Sequence, residues 1–212
     1  MVQYQTGRYA LYWEAMSGAM AVELLLEEIG TDYERVAVDM AAGDHRTEAF
    51  RLLNPTGQIP ALRLPEGETI GESAAIILIL GERHPGALVL APGDTDRPEF
   101  LRWLIYMATS PYMTFVQFNH PDRFLDDRGA HTDLTANARS RLLGQFSVLD
   151  AAISGAPFFM ARGPTALDFY LYMLVEFYDD RAGLFVGRQK LQALHGAVSA
   201  RHSVGRTRPD HG

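Results

Sequence analysis

The segments "NPTGQIPAL" (54–62) and "GESAAIILIL" (71–80) decide how the first part of this chain is interpreted. The first begins with a turn signal and ends in a short apolar stretch around Pro60, where a strand is predicted. The second places Glu72 and Ser73 immediately before an apolar run of helical character. The pair therefore predicts a turn, a strand, and a helix whose N-terminus carries two polar side chains.

Short strand patterns and longer helical patterns alternate on either side of these segments. The aromatic "RYALYW" (8–13) and the alternating "YERVAVDM" (33–40) predict strands. Between them, "SGAMAVELLLEEIG" (17–30) has apolar residues at helical spacing and ends on a glycine, which predicts a helix. A further short helix is predicted over 47–53, just before the turn. This order is typical of a small α/β domain.

The second half of the chain has only helical patterns. One of them, "LDFYLYMLVEFYDD" (167–180), is apolar nearly all round, which indicates a buried central helix. We therefore predict an α/β domain over 1–85, a linker over 86–96 and an all-helical domain over 97–212. The polar end of the chain, "RTRPDHG", is predicted to be frayed.

Composition limits the classes of function. The chain has 212 residues and is 47% hydrophobic, which is enough for a sizeable core or for two small domains. A net charge of -7 argues against nucleic acid as the principal partner, because phosphate backbones select basic surfaces. The first residues lack the basic-then-apolar order of a signal peptide, and no apolar run approaches the roughly 20 residues of a membrane span. These features predict a cytoplasmic protein that does not enter a membrane.

The residue types also exclude several chemistries. The absence of cysteine excludes disulfide scaffolds, cysteine zinc sites and a cysteine nucleophile. The histidines do not recur at i, i+4, and no His-Glu-x-x-His motif is present, so no metal site is predicted. A P-loop and a Rossmann glycine run are also absent from the sequence.

The two opening segments resemble the cytosolic glutathione transferase family. The family pattern is Asn-Pro-x-Gly-x-(Val/Ile)-Pro-x-Leu, a strand, and Glu-Ser-x-Ala-Ile at a helix start, and this chain carries it from Asn54 to Ile76. "GPTALDFYLY" (163–172) resembles a capping segment in the helical part of the same family. The resemblance implies a thioredoxin-like α/β domain followed by an all-α domain, usually as a homodimer, with glutathione as co-substrate.

The resemblance assigns most of the glutathione contacts to the two opening segments. It implies a cis peptide bond between Ile59 and Pro60, and a backbone at Ile59 that pairs with the cysteinyl part of glutathione. A plain proline at a strand edge is the alternative for this pair. Glu72 and Ser73 open a helix, where N–H groups and the helix dipole attract a carboxylate and the Glu72 side chain accepts from an ammonium group. Both groups occur on the γ-glutamyl end of glutathione, whereas ordinary N-capping is the alternative.

Two further residues are candidates for the glycine end of glutathione. Gln58 adjoins the turn before Pro60. His45 lies in "GDH" (43–45), which resembles "GEH" in insect-type members of the family. The resemblance implies that a polar or basic group here faces the glycine carboxylate, and a solvated surface position is the alternative.

The group that activates the glutathione thiol is expected after the first strand. Counting from the strand, "LYWEAMS" matches serine-type members of the family and places Ser17 at this position. Counting back from the helix places Gly18 where bacterial members carry their cysteine, and Gly18 has no side chain to use. We predict Ser17 as the hydroxyl donor, with N-capping as its alternative role. Tyr12, which strand alternation predicts to be buried, and Tyr9 are more remote options.

Aromatic and methionine side chains are candidates for a pocket that holds an apolar electrophile, and we name Trp13, Met16, Tyr106 and Tyr112. Core packing is the alternative for each of them. Pro111 is predicted to kink its helix. The sequence thus predicts a glutathione transferase, with a glutathione-dependent isomerase or dehalogenase, or a non-catalytic binding module of the same fold, as alternatives.

Thr165 and Asp168 form a Thr-x-x-Asp pattern immediately before the buried central helix. This spacing resembles a capping box, with aspartate in place of the usual glutamate or glutamine. We assign the pair to folding and not to catalysis.

Overall fold

The computed structural model describes residues 7–86 and 88–211. They form two compact units. The first contains the chain up to Pro92 together with the residues from Ala200 onward, and the second contains Gly93–Ser199. The units meet in sequence inside the predicted linker 86–96. The helical domain predicted over 97–212 extends past the second unit, because the chain after Ser199 packs with the first unit.

The first unit is built on a four-stranded mixed sheet with the order β2-β1-β3-β4. The strands are β1 (Tyr9–Trp13), β2 (Tyr33–Ala37), β3 (Ala61–Arg63) and β4 (Thr69–Gly71). β1 pairs in parallel with β2 and antiparallel with β3, and β3 pairs antiparallel with β4. Parallel neighbours need a crossover, which α1 (Ala19–Ile29) supplies. The predicted strands are therefore confirmed.

Two more helices of this unit follow the predicted pattern. α2 (Glu48–Leu53) is capped by the Thr47 hydroxyl, which accepts from the Phe50 N–H at 3.3 Å, and it ends at Asn54 before proline. α3 (Ser73–Arg83) begins directly after β4 and presents the buried residues Ala74, Ile76, Ile77 and Leu80 to the core. Together with the sheet, these helices give the predicted thioredoxin-like α/β arrangement.

The end of the chain differs from the prediction. Residues predicted to be frayed lie in α10 (His202–His211), which packs against α1. Its buried stripe consists of Ser203, Val204, Thr207 and His211. The stripe has helical spacing but is mostly polar, and Pro209 lies inside the helix. Neither feature is typical of a helix that docks on a core, so the sequence did not predict one.

The second unit is all-helical, as predicted. Its helices are α4 (Arg97–Thr109), α5 (Pro111–Asn119), α6 (His131–Ala152), α7 (Ala166–Glu176), α8 (Arg181–Phe185) and α9 (Gln189–Ser199). α7 is buried at every residue from Ala166 to Val175, which confirms the predicted central helix. Pro111 does not kink one helix: α4 ends at Thr109 and Pro111 begins α5, a position that tolerates its missing N–H.

The predicted capping box at the start of α7 is present. Asp168 Oδ2 accepts from the Thr165 N–H at 2.7 Å, and Asp168 Oδ1 accepts from the Phe159 N–H at 2.7 Å. One buried carboxylate therefore fixes both the helix start and the loop before it. None of the helices that the structure describes is long and apolar enough to cross a bilayer.

Candidate functional site

The candidate site lies at one edge of the sheet, where three strands and two helices have their ends. The register pairs Tyr12, near the end of β1, with Ala61, the first residue of β3. Ala61 pairs in turn with Gly71, the last residue of β4. The chain that leaves β1 opens α1, the chain that enters β3 passes through Pro60, and the chain that leaves β4 opens α3. The register therefore brings together the segments that the sequence singled out.

The loop before β3 is held by the buried side-chain amide of Asn54. Its Nδ2 donates to the Gln58 carbonyl at 2.8 Å, and its Oδ1 accepts from the Thr56 hydroxyl at 3.0 Å. Gly71 lies against the same amide, since a Cβ at this position would be 3.2 Å from Asn54 Nδ2. The amide thus fixes the loop and packs against the end of β4.

Ile59 presents its backbone, and not its side chain, to any ligand at this edge. The peptide bond between Ile59 and Pro60 is cis. The Ile59 side chain is 8% exposed and belongs to a core cluster with Tyr12 and Phe50. Gln58 precedes it with an exposed side chain. A ligand at Ile59 therefore meets peptide groups, which suits the main chain of an extended peptide.

Glu72 has a backbone conformation that side chains other than glycine rarely adopt. Its φ is 62° and its ψ is 106°, at the N-cap of α3. Such conformations cost on the order of 1–3 kcal/mol and cluster at ligand-binding sites, where they aim particular groups. The Glu72 side chain is exposed, Ser73 is half-buried, and the following first turn carries the positive end of the helix dipole. This arrangement suits a ligand that bears both a carboxylate and an ammonium group.

The loop between β1 and α1 carries Ser17. The Ser17 hydroxyl donates to the Glu14 carbonyl at 2.7 Å and accepts from the Ala19 N–H at 3.3 Å. The N-cap of α1 is Gly18, and the hydroxyl of Ser17, one residue earlier, bonds the first N–H of the helix. Donation to a ligand sulfur would require the hydroxyl to leave Glu14, at the cost of one hydrogen bond of about 1 kcal/mol. Met16, which precedes Ser17, has a left-handed φ of 54° and a side chain that is 45% exposed.

Trp13 lies between a cation and an imidazole. The Arg35 guanidinium is 3.7 Å from the indole centroid, and the His211 ring is 5.4 Å away in an edge-on orientation. Tyr12 is 2% exposed, which confirms the burial expected from strand alternation. The Tyr9 hydroxyl is 3.0 Å from His84 Nε2.

His45 is buried in a short 3₁₀ turn, Asp44–Arg46, ahead of α2. Its Nε2 accepts from the Arg46 Nε–H at 3.2 Å. Its carbonyl lies close to Gly57, where a Cβ would be 3.0 Å from the oxygen. The positive φ of 61° at Gly57 and this contact together explain the glycine in the turn.

Tyr106 and Tyr112 lie in the second unit, on α4 and α5. The Tyr106 ring packs edge-on against Trp103 at 5.6 Å, and burial raises the pKa of its hydroxyl. The Tyr112 ring packs against Phe177 at 6.2 Å. Both side chains are half-buried.

Two residues at this edge were missed as site residues from the sequence. Asn54 stands in the opening motif, whose start is interpreted from the sequence only as a turn signal. A buried asparagine followed by Pro-x-Gly is the signal of a side-chain-held turn, and it was available. His211 has no local signal, because its contact with Met16 spans 195 residues.

Within residues 7–86 and 88–211, no group of three or more histidine, aspartate or glutamate side chains could hold a metal ion. The edge therefore offers hydrogen-bond donors, a carboxylate and a helix terminus as its recognition groups.

Comparison with known proteins gives consistent matches. A family model described as "Glutathione S-transferase, N-terminal domain" matches residues 16–83. The uncharacterized GST-like protein YncG of Escherichia coli K12 is 30% identical over 159 residues, which cover 73% of this chain and 74% of that protein. A maleylacetoacetate isomerase of Pseudomonas aeruginosa is 38% identical over 91 residues, or 42% of each chain.

Among solved structures, a sphingomonad glutathione S-transferase complexed with glutathione superposes with a TM-score of 0.80. The match has 27% identity and covers 96% of this chain and 98% of that one.

Proposed function

The chain belongs to the glutathione S-transferase family, and we propose that it binds glutathione at the sheet edge and transfers its thiolate to an apolar electrophile. The observation that carries the proposal is the register Tyr12–Ala61–Gly71. This register aligns the loop with Ser17, the backbone of Ile59 and the strained N-cap Glu72 at one edge. The sphingomonad transferase, similar over nearly its full length, is complexed with glutathione.

Each part of the tripeptide has a proposed partner. The γ-glutamyl carboxylate accepts from Ser73 and the first turn of α3, and the γ-glutamyl ammonium group donates to Glu72. The cysteinyl residue pairs with the backbone of Ile59, whose orientation Pro60 and the Asn54 amide fix. We assign Gln58 and His45 to the glycine end, as the resemblance to the family implies.

The chemical step is a nucleophilic displacement. The thiol loses its proton to solvent, and the thiolate sulfur forms a bond to the electrophilic carbon while the leaving group departs with its electron pair. The Ser17 hydroxyl donates to the sulfur, and the N-terminus of α1 adds a favourable dipole. Lowering the thiol pKa by about two units requires roughly 2.7 kcal/mol of selective stabilisation. The exposed Met16 is the residue of this loop that we place against the electrophile, and we retain Trp13 as a further pocket candidate.

Calorimetry with glutathione and thiolate absorbance test the two halves of this proposal. We expect the wild type to bind glutathione and to lower the thiol pKa below about 8.5. Ser73→Ala should weaken binding about ten-fold through the lost hydrogen bond. Ser17→Ala should bind normally but return the pKa toward the free value. Ser140→Ala, at an exposed position of α6, is the matched control and should change neither quantity.

The outcomes separate the alternatives. If glutathione does not bind, the proposal is wrong at its first step. If it binds without a lowered pKa, the protein is a binding module of the family and not a transferase.

A glutathione-dependent isomerase is the second candidate, because the 38% identity to a maleylacetoacetate isomerase exceeds that to YncG, although over a shorter stretch. In that reaction the thiolate adds to a conjugated double bond, the bond rotates, and elimination regenerates the thiolate. Conversion of maleylacetoacetate without consumption of glutathione would favour the isomerase. Loss of glutathione with 1-chloro-2,4-dinitrobenzene would favour the transferase.

We also propose a homodimer, on the resemblance to the family. Light scattering coupled to gel filtration should then give twice the 23.6 kDa chain mass. A single-chain mass at micromolar concentration would contradict this proposal.

A further inference from the structure

Helix α10 is tied to α1 by charged and polar contacts along its length. Near its start, Arg201 and Ser203 both donate to Glu28, with distances of 2.8 and 2.6 Å to Oε1. Burial opposes ionisation of Glu28, but these hydrogen bonds prevail and lower its pKa below the ordinary value. Farther along, Asp210 accepts from Arg35 of β2 at 2.6 Å. The helix thus has fixed contacts at both ends, and its final residues lie beside the loop that carries Ser17.

His211 uses both ring nitrogens at this place. Its Nδ1 accepts from the Met16 backbone N–H at 3.3 Å, and its Nε2 is 2.8 Å from Glu23 Oε2. His211 is 3% exposed and Glu23 is 1% exposed. A histidine at this depth, bonded to the loop on one side and to a carboxylate on the other, is held in one orientation.

The two contacts fix the tautomer of His211. Because the Met16 N–H can only donate, Nδ1 must carry a lone pair, and the ring hydrogen is therefore on Nε2. Nε2 then donates to Glu23, whose carboxylate forms an ion pair with Arg35, Nε to Oε1 at 3.0 Å. The Tyr33 hydroxyl lies 3.2 Å from the same carboxylate and 2.7 Å from Glu27 Oε1. Burial and the adjacent carboxylates raise the pKa of Tyr33, so this hydroxyl keeps its hydrogen. The Glu23 carboxylate, paired with the Arg35 guanidinium, therefore accepts from His211 Nε2 and orients the imidazole.

The loop residue that donates to His211 is also the one with a strained backbone. Met16 has a left-handed φ of 54°, a conformation that costs energy for a side chain other than glycine and persists only when neighbours hold it. Other hydrogen bonds of the loop run from the Met40 N–H to Glu14 Oε1 at 3.0 Å and from the Ser17 hydroxyl to the Glu14 carbonyl. His211 supplies a further hydrogen bond at Met16, the residue directly before Ser17.

We propose that His211, oriented by Glu23, is a positioning residue that holds the Glu14–Ser17 loop in the conformation that activates the glutathione thiol. The inference rests on the proposed function for the identity of the thiol. It assigns to the C-terminal helix a role in the site that neither the opening motif nor the β1–α1 loop reveals by itself. His211 does not touch glutathione in this proposal, and its effect passes through Met16.

Three variants test the inference. His211→Phe keeps the ring beside Trp13 but removes both hydrogen bonds, while Glu23 keeps Arg35 and Tyr33 as partners. His211→Asn retains an acceptor at the position of Nδ1 and is the conservative variant. Ser203→Ala removes a different contact between α10 and α1, far from Met16, and is the control for loosened docking.

The first measurement does not depend on activity. Hydrogen exchange at the Met16 amide should become about ten-fold faster in His211→Phe, the factor expected for one lost hydrogen bond. It should remain near wild type in His211→Asn and in Ser203→Ala, with the Leu24 amide inside α1 as the internal reference. Nitrogen-15 shifts of His211 in the wild type should report a hydrogen on Nε2. Unchanged Met16 exchange in His211→Phe, or a hydrogen on Nδ1, would overturn the inference.

The second measurement concerns the reaction. With glutathione and 1-chloro-2,4-dinitrobenzene, His211→Phe should lower kcat about ten-fold while the Kd for glutathione stays within about two-fold, because the Ile59 and Glu72 contacts are untouched. His211→Asn should recover most of kcat, and Ser203→Ala should not lose it. Equal losses of kcat in His211→Phe and Ser203→Ala would reduce His211 to a structural contact and overturn the inference. A wild type that does not bind glutathione contradicts the proposed function instead, and the exchange experiment still decides whether His211 holds the loop.

Discussion

Glu72 combines a costly backbone conformation with an exposed acidic side chain. Glycine adopts a φ near 62° readily, so the position would be less strained without a side chain. Selection of glutamate there is consistent with a function for its carboxylate, which we assign to the ammonium group of glutathione. The Glu72 side chain therefore lowers stability through strain while it serves the proposed binding of glutathione.

Glu72→Gly separates these two terms. The free energy of unfolding should stay equal or rise by up to about 1 kcal/mol, because relief of strain outweighs the added freedom of the unfolded chain. The affinity for glutathione should fall at least about ten-fold, since a charge-assisted hydrogen bond is lost. Urea unfolding and calorimetry measure the two effects.

Glu68→Gly is the control for this prediction, at an exposed position just before β4 where φ is not positive. It should lower stability and leave the affinity unchanged. If Glu72→Gly loses as much stability as Glu68→Gly, the strain at Glu72 does not have the assigned cost.

At the scale of the element, the start of α7 depends on one ionisable group. Asp168 is buried and accepts N–H groups from both Thr165 and Phe159. Burial raises the pKa of Asp168 to about 6 from its ordinary 3.8, although these N–H groups favour the carboxylate. The stability of α7 is therefore linked to pH.

The direction of this linkage follows from which state holds the proton. Between about pH 4 and pH 6 the native protein binds a proton that the unfolded chain has already released. The free energy of unfolding should therefore fall as the pH rises through this window, by at most about 3 kcal/mol. Asp168→Asn lacks this contribution, so the advantage of the wild type over the variant should shrink between about pH 4 and pH 7. Urea unfolding at both pH values measures it, and an advantage that grows with pH would contradict the raised pKa.

At the scale of the whole molecule, the first unit is formed by two stretches of the chain that are far apart in sequence. The chain builds the α/β unit, then the helical unit, and after Ser199 it returns to the α/β unit as α10. This return buries Val204, Thr207 and His211 against α1. The first unit therefore depends on a segment that lies far away in sequence.

Removal of the residues after Ser199 should destabilise the first unit. We expect the free energy of unfolding to fall by about 2–4 kcal/mol, chiefly through the lost burial of Val204 and its neighbours. Arg206→Ala, which removes the ion pair between the exposed Arg206 side chain and Glu27, should change it by less than about 1 kcal/mol. Denaturant unfolding compares the two, and a truncated chain as stable as the full one would show that α10 adds nothing.

The local parts of the fold were predictable because their signals are local. β1, α1 and the turn at Asn54 each carry a periodicity or a breaker within a few residues, and the structure has them where the sequence placed them. The sheet edge was predictable through the motif that runs from Asn54 to Ile76. The direction of the Ser17 hydroxyl was not, because it depends on a carbonyl that competes with any ligand.

The placement of α10 could not be predicted for a different reason. Two buried polar residues of its stripe, Ser203 and His211, have their partners, Glu28 and Glu23, on α1. Polar side chains become interior-facing only when such partners are present, and a helical periodicity of apolar residues does not report them.

The contact between Met16 and His211 also sets an order of events during synthesis. The loop leaves the ribosome 195 residues before the imidazole that completes its support. An unfinished polypeptide can thus assemble the sheet and α1 while this support is missing. Ribosome-stalled chains of increasing length should therefore activate the thiol of glutathione fully only once residue 211 has emerged.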